Sequence, residues 1–151
     1  DIASSARSTI ITMPLDKRRF VNKIDFITSP GYIDGPDAHR KAGLSGGGPA
    51  AIITDCCVLR FDPKTGEAYL DSIREGFSID EIKAKVSWDL NVASKVKVLE
   101  PPTIKQIEII RGLDPYKIYG NGLADLTFER YIQMLNDSYE AMPAIYASLA
   151  E

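Results

Sequence analysis

A chain of 151 residues is long enough for one domain with a real core, and 44% apolar with 26% charged residues is ordinary for a globular protein. Its net charge of −3 and scattered Lys and Arg leave no basic stripe to displace counterions, which argues against a nucleic-acid partner. No run of about eighteen apolar residues is present to span a membrane, and no signal peptide is visible.

The chain opens on Asp1-Ile2-Ala3-Ser4-Ser5 with no initiating Met, and reads as a piece of something longer. Ala3–Arg7 suits a helical turn, and the β-branched Thr9–Met13 suits a short strand closed by Pro14. Leu15–Asn22 is a charged connection in which Phe20 and Val21 can pack; its Lys17-Arg18-Arg19 run reads as a solvated turn. Ile24–Ile27 reads as a second buried strand, leaving into Ser29-Pro30-Gly31-Tyr32. Ile33–Gly43 is polar and contains Gly35-Pro36-Asp37, so it predicts an ordered surface loop with one helical turn. His39, beside Arg40 and Lys41, is expected in solvent.

Ser45-Gly46-Gly47-Gly48-Pro49 then enters an apolar strand, Ala50–Thr54. Three consecutive glycines are costly to order, so the backbone there either adopts unusual dihedrals or is closely approached. The approaching group is a ligand or another stretch of backbone, and composition leaves both open. Cys56 and Cys57 fall in the extended run that follows, where alternation sends neighbouring side chains to opposite faces. Two buried, reduced thiols in a cytoplasmic protein is the plain reading, and a strained vicinal disulfide is the rare alternative. A zinc site is not expected, with no second cysteine pair and a single histidine.

Val58–Phe61 and Ala68–Ile73 flank the turn Asp62-Pro63-Lys64-Thr65-Gly66 and predict an antiparallel hairpin, with Glu67 a solvated charge. Ser78-Ile79-Asp80-Glu81 is a capping box opening a helix that runs to about Trp88, with Ile79, Ile82 and Val86 on one face. Leu90–Ala93 and Val96–Leu99 are short extended pieces. Pro101-Pro102 precede a helix capped by Thr103 with Gln106, its Ile104, Ile107 and Leu113 turned inward. Asp114–Gly122 is a turn-rich linker. A last helix over Leu126–Leu149 carries Tyr131, Leu135, Tyr139, Met142, Tyr146 and Leu149 at spacings of three and four, with a kink at Pro143.

Catalytic constellations are absent from this pattern. There is no Gly-x-Ser-x-Gly elbow, and Gly46-Gly47-Gly48 lacks the Lys-Ser/Thr of a phosphate loop. No residue reads as a nucleophile, and no metal ligands converge.

The ordered set of motifs nevertheless resembles a known family. Phe26-Ile27-Thr28-Ser29-Pro30-Gly31-Tyr32, Ala42-Gly43-Leu44-Ser45-Gly46-Gly47-Gly48-Pro49 and Ile52-Ile53-Thr54-Asp55 are similar to the β subunit of glutaconate CoA-transferase-type enzymes, the class I CoA-transferases. Phe61-Asp62-Pro63 with Thr65-Gly66-Glu67, then Gly76–Ile82 and Trp88-Asp89-Leu90, continue the likeness over roughly residues 1 to 115.

That resemblance implies an α/β fold: a three-layer open, mainly parallel sheet with an added β-hairpin, incomplete without the amino-terminal portion of the subunit. Residues 1–115 would be the carboxyl-terminal portion of that domain, and residues 116–151 a linker with a terminal amphipathic helix. In this family a glutamate attacks the acyl thioester and becomes a mixed anhydride, then a glutamyl-CoA thioester, before CoA passes to a second acid. Amides of a glycine-rich loop stabilise the oxyanion.

Both the glutamate and that loop lie upstream of the segment resembling Asp1–Ser5, so no catalytic residue carries over. The resemblance places Ser29, Pro30, Gly31, Tyr32, Gly46, Gly47 and Gly48 near the acyl-CoA. It implies coenzyme A as a substrate and no tightly bound cofactor. It also implies, as partners, acyl-CoA and carboxylic acids, the amino-terminal portion of the subunit, and an α-type subunit. Two rival readings are a CoA-ester hydrolase of the same fold that opens a cyclic acyl-CoA, and a non-catalytic scaffold or sensor module.

Overall fold

The computed structural model describes residues 2–113 and 127–148, which divide into two compact units, Asp1–Pro101 and Pro102–Glu151. In the first unit a short α1 (Ile2–Ser5) precedes β1 (Thr9–Thr12), and α2 (Pro36–Lys41) separates β1 from β2 (Pro49–Ile53). After β2 come β3 (Cys57–Phe61), β4 (Ala68–Arg74), α3 (Ile79–Ala84) and β5 (Asn91–Leu99). The strands lie in chain order in one five-stranded sheet. The outer pairs β1–β2 and β4–β5 are parallel, and the β2–β3–β4 meander between them is antiparallel. The fold is α/β with an open sheet and the expected hairpin, and the pairing among these residues is mixed.

Local chemistry sets the turns. At the β3–β4 hairpin the Asp62 carboxylate accepts from the Lys64 and Thr65 amides at 2.8 and 3.0 Å, and Gly66 takes φ +76°. Those amides, Thr65 first, hold the Asp62 carboxyl below its ordinary range. Between β2 and β3 the Thr54 hydroxyl accepts from the Cys57 amide at 2.8 Å and the Cys56 amide at 3.3 Å, closing a tight Thr54–Cys57 turn. The Asp55 carboxylate reaches back to the Leu15 amide at 2.7 Å and ties the end of β1 to this turn.

The core gathers Leu59 and Leu70 from the hairpin, Ile82 from α3, and Val86 and Leu90 beyond it, with Leu15, Phe20, Cys56 and Cys57. Helix α3 starts on the expected capping box. Ser78 Oγ accepts from the Glu81 amide, and the Glu81 carboxylate accepts from the Ser78 amide at 2.8 Å. It ends at Ala84, earlier than Trp88, because the Lys85 and Val86 amides turn to the Ile82 and Lys83 carbonyls and tighten the last turn. Released from the helix, Trp88 stacks on Phe20 at 6.2 Å.

Other sequence expectations are corrected. Ile24–Ile27 is not a buried strand: it joins no ladder, and Ile24, Phe26 and Ile27 are 53%, 78% and 55% exposed. Leu90–Ala93 and Val96–Leu99 are not separate pieces but one strand, β5, whose pairing with β4 is interrupted where the register shifts between Leu70 and Ser72.

The two cysteines do not alternate across the sheet. Cys56 belongs to the turn, so both thiols approach the same Thr54 hydroxyl, at 3.7 and 3.3 Å. Both are fully buried and free.

In the second unit, α4 (Ile104–Leu113) opens on Thr103, whose amide donates to Gln106 Oε1 at 2.8 Å. None of its residues is buried, so Ile104 and Leu113 do not turn inward as the spacing suggested. A 21-residue helix, α5 (Phe128–Ser148), continues through Pro143. The expected linker Asp114–Gly122, the division at residues 115–116 and the helix ends at Leu126 and Leu149 lie outside the described residues. Among the described residues, no helix is long and apolar enough to cross a membrane.

Candidate functional site

The two loops singled out by their turn residues meet around Tyr32. Its hydroxyl hydrogen-bonds to the Pro49 carbonyl at 3.0 Å and lies 3.3 Å from that of Gly47, so Ser29–Tyr32 is joined to the glycine run directly. The Tyr32 ring meets Phe61 of β3 edge-on at 5.6 Å and His39 of α2 at 6.3 Å. A Cβ on Gly48, which sits at φ +76°, would stand 2.7 Å from the same ring, and one on Gly66 of the hairpin turn 3.0 Å from Tyr32 Cβ. Tyr32 is thus the centre of the loop pair, held from both sides by positions where only glycine leaves room.

Gly46 and Gly47 face the other way, toward the amino-terminal segment. The Gly46 amide donates to the Ser4 carbonyl at 2.8 Å, and the Gly47 amide to the Ala6 carbonyl at 3.1 Å. Added Cβ atoms would lie 2.6 Å from the Ser4 carbonyl oxygen and 2.1 Å from that of Arg7. Of the two explanations open for three glycines, close approach of backbone accounts for Gly46 and Gly47. Their amides are consumed within the fold. The open part of the pair is the rim Ser29-Pro30-Gly31, with Ser29 exposed and the other two half-buried.

Beside the rim, Ile33 takes φ 57°. A β-branched residue there is a genuine outlier, and such strain collects at ligand clamps and switch regions. The loops themselves contain no carboxylate, imidazole or thiol, so they can shape a binding surface and hydrogen-bond but cannot supply a nucleophile.

His39 departs from expectation. It is buried at 4% exposure, and its Nε2 has no hydrogen-bond partner among the described residues. Helix α2 starts at Gly35-Pro36 and rolls His39 inward against Tyr32 while Arg40 and Lys41 stay in solvent. Neighbouring charges in the sequence concealed this, because adjacent helix positions face different ways.

A second feature had no sequence signal. An open cleft of about 390 Å³ is lined by Asp62, Thr65, Glu67 and Tyr69 from the hairpin and by Asn91, Val92 and Ala93 from β5. Glu67 is exposed, as expected of a solvated charge, but it accepts from Asn91 Nδ2 at 3.3 Å across the strands. The parallel pairing of β4 with β5, Tyr69 opposite Asn91 and Leu70 opposite Val92, brings these side chains together. Among the described residues, no three His, Cys, Asp or Glu side chains converge to hold a metal ion.

Comparison with known proteins gives these loops a context. Residues 1–85 match the family model described as Coenzyme A transferase. The chain is 43% identical over 110 residues to the B subunit of glutaconate CoA-transferase from Acidaminococcus fermentans, covering 72% of this chain and 41% of that protein. It is 34% identical over 114 residues to the B subunit of 3-oxoadipate CoA-transferase from Pseudomonas knackmussii, covering 76% of this chain and 44% of that one. The crystal structure of the Acidaminococcus fermentans glutaconate enzyme superposes with a TM-score of 0.66 at 42% identity, over 73% of this chain and 42% of its own. The chain therefore spans less than half the length of these relatives. With the family model covering more than half of its residues and both relatives being CoA-transferase subunits, the chain belongs to the coenzyme A transferase family.

Proposed function

We propose that this chain is part of an enzyme that moves coenzyme A between carboxylic acids, with the catalytic glutamate outside these residues. A glutamate carboxylate attacks the acyl thioester, and the CoA thiolate leaves to give a mixed acyl-glutamyl anhydride. The thiolate then attacks the glutamyl carbonyl, which releases the first acid and leaves a glutamyl-CoA thioester; a second carboxylate reverses the two steps and departs with CoA. The observation that carries this reading is the 43% identity over 110 residues to a glutaconate CoA-transferase subunit, beside a family match over residues 1–85, a span that includes the Tyr32 loops and the hairpin.

Within that reaction the chain's own residues bind and position. The Ser29-Pro30-Gly31 rim, with Ser29 exposed, faces the acyl-CoA, while Tyr32, set against Gly48 and bonded to the Pro49 carbonyl, holds the rim to the sheet. Two of the four glutamates of the first unit have local partners. Glu81 is bound into the cap of α3 and Glu67 is paired with Asn91, which disfavours these two as the nucleophile. The partners are the remaining portion of the subunit and an A-type subunit, and coenzyme A takes part as substrate. The protein works in the cytoplasm, which suits two reduced thiols.

The test is chemical trapping. The isolated chain, incubated with acyl-CoA and then hydroxylamine or borohydride, stays unlabelled; the assembled enzyme transfers CoA to a free acid and is labelled on a glutamate of the added portion. A label on Glu67, or on any carboxylate of these 151 residues, overturns the proposal. Release of free CoA with no acceptor acid would instead identify a hydrolase of the same fold.

A further inference from the structure

Two independent costs fall in the short stretch Ile33–His39 beside the rim. The first is in the backbone at Ile33, whose φ of 57° lies in the left-handed region that a β-branched residue rarely enters. The second is His39 Nε2, which is buried and has no hydrogen-bond partner among the described residues. A buried polar atom left unpaired forfeits the bonds it would make in water.

The surroundings explain the first cost. Tyr32 is fixed on the sheet side by the Pro49 carbonyl, Gly48 and the Phe61 ring. Gly35-Pro36 is fixed against the hairpin turn. A Cβ on Gly35 would lie 3.1 Å from the Thr65 carbonyl oxygen, and one on Gly66 would lie 3.3 Å from Pro36 Cδ. Between these anchors the chain must reverse at Ile33-Asp34, and the Gly35 amide closes the turn on the Tyr32 carbonyl at 3.0 Å. Turns with a positive φ at the first central position ordinarily carry Gly, Asn or Asp there. This one carries an isoleucine that is 47% exposed, so burial returns little for the strain.

Stability alone would select neither residue. Asparagine or glycine at position 33 would relax the turn. An apolar side chain of similar size at position 39 would fill the same space with no unpaired atom. Tyr32 links the two costs to the rim: it precedes Ile33, meets the His39 ring edge-on at 6.3 Å, and directly follows Ser29-Pro30-Gly31. Local rules broken twice in one segment at a binding rim fit a segment whose setting changes with the ligand.

We propose that Ile33 and His39 are positioning residues that hold the rim in a costly ligand-free setting, which an acyl-CoA relaxes on binding. Ile33 then leaves the left-handed region, and His39 Nε2 gains a partner. The inference rests on the CoA-transfer reading for its ligand. Its consequence has a definite sign. Free energy stored in the ligand-free state is returned on binding and raises affinity, so relieving it beforehand makes the protein more stable and the ligand weaker. A residue that only supports the fold would not move the two in opposite directions.

Titration calorimetry on the assembled enzyme tests this with S-acetonyl-coenzyme A, a thioether analogue of an acyl-CoA that offers no thioester to cleave. The informative pair is Ile33→Asn and Ile33→Thr. Both replace the exposed isoleucine by a small polar side chain, but Asn enters the left-handed region readily and β-branched Thr does not. Ile33→Asn is expected to unfold at a higher urea concentration than Ile33→Thr and to bind the analogue about fivefold more weakly. His39→Leu is expected to bind more weakly than wild type with no loss in its urea midpoint.

Equal affinities in the Ile33 pair would show that the strain persists in the bound state, and equal urea midpoints that there is none to release. Either result overturns the proposal and leaves the CoA-transfer reading standing. A His39→Leu enzyme that binds like wild type overturns the part given to His39. A wild-type enzyme that binds no analogue overturns the CoA-transfer reading and this inference together.

Discussion

Gly47 shows how little freedom the loop pair has. A Cβ at that position would sit 2.1 Å from the Arg7 carbonyl oxygen, a backbone atom that can move only if the start of β1 moves with it. Gly47→Ala is therefore expected to lower the unfolding free energy by about 1–3 kcal/mol, in the range of overpacked sites. Gly43→Ala, with nothing within 4 Å of its Cβ but φ +76°, carries only the left-handed backbone cost of about 1–2 kcal/mol. Urea unfolding of the two variants measures the pair, and equal losses would show that the contact with residues 4–7 does not matter.

The cysteines act at the same scale. Burial pushes the Cys57 thiol up to about 11, so it is neither a nucleophile nor a thiolate ligand at neutral pH. A thiol reagent at pH 8 should count no cysteine in the folded chain and two after denaturation. Because the folded value is raised from the ordinary 9.0, the unfolded chain ionises first. Stability is full below that value and falls as pH rises toward about 11, a fall that Cys57→Ala should reduce. Cys56→Ala with Cys57→Ala should leave CoA transfer by the assembled enzyme intact at some cost in stability.

Helix α3 shows how one element depends on its first turn. Six residues are too few to hold a helix by propensity, so the capping box and the buried Ile82 do so. Ser78→Ala is expected to cost about 1 kcal/mol. The Ser78 hydroxyl and amide hold the Glu81 carboxyl below its ordinary range. A lowered folded value means that this contribution is present above the ordinary glutamate range and is lost as acid titrates the folded group. Unfolding midpoints of wild type and Ser78→Ala should converge on acidification, and a gap independent of pH would exclude the Glu81 half of the cap. The hairpin turn differs, since Asp62 is satisfied by two amides of its own turn.

For the whole molecule, the exposed apolar segment Ile24, Phe26 and Ile27 and the outer edge of β1, where Ile10 is 63% exposed, are surfaces that a lone globular protein seldom leaves in water. On the proposed assembly these surfaces are covered by the rest of the subunit or by its A-type partner. Phe26→Ser with Ile27→Ser should reduce light scattering and dye binding by the isolated chain, and also weaken co-purification with the added portions. Improved solution behaviour with undiminished assembly would place the interface elsewhere.

By itself the sequence determined what depends on neighbours along the chain. The hairpin, both helix caps and the β1 and β2 strands are written in turn residues, capping pairs and β-branched runs, whose partners sit within a few residues. The ordered motifs also carried the family, because spacing survives in a linear text. What the tertiary structure alone decided involves contacts between distant positions. Apolar character suggested a strand at Ile24–Ile27, yet burial depends on what lies opposite, and in these residues nothing does. The glycine run is explained by Ser4–Arg7, some forty positions earlier, and His39 by Tyr32 and the roll of α2. The two thiols share a side because a threonine turn, rather than a ladder, orients the first of them. Local propensity cannot register such approaches, since the energy that selects them arises only when separate segments exclude water from one another.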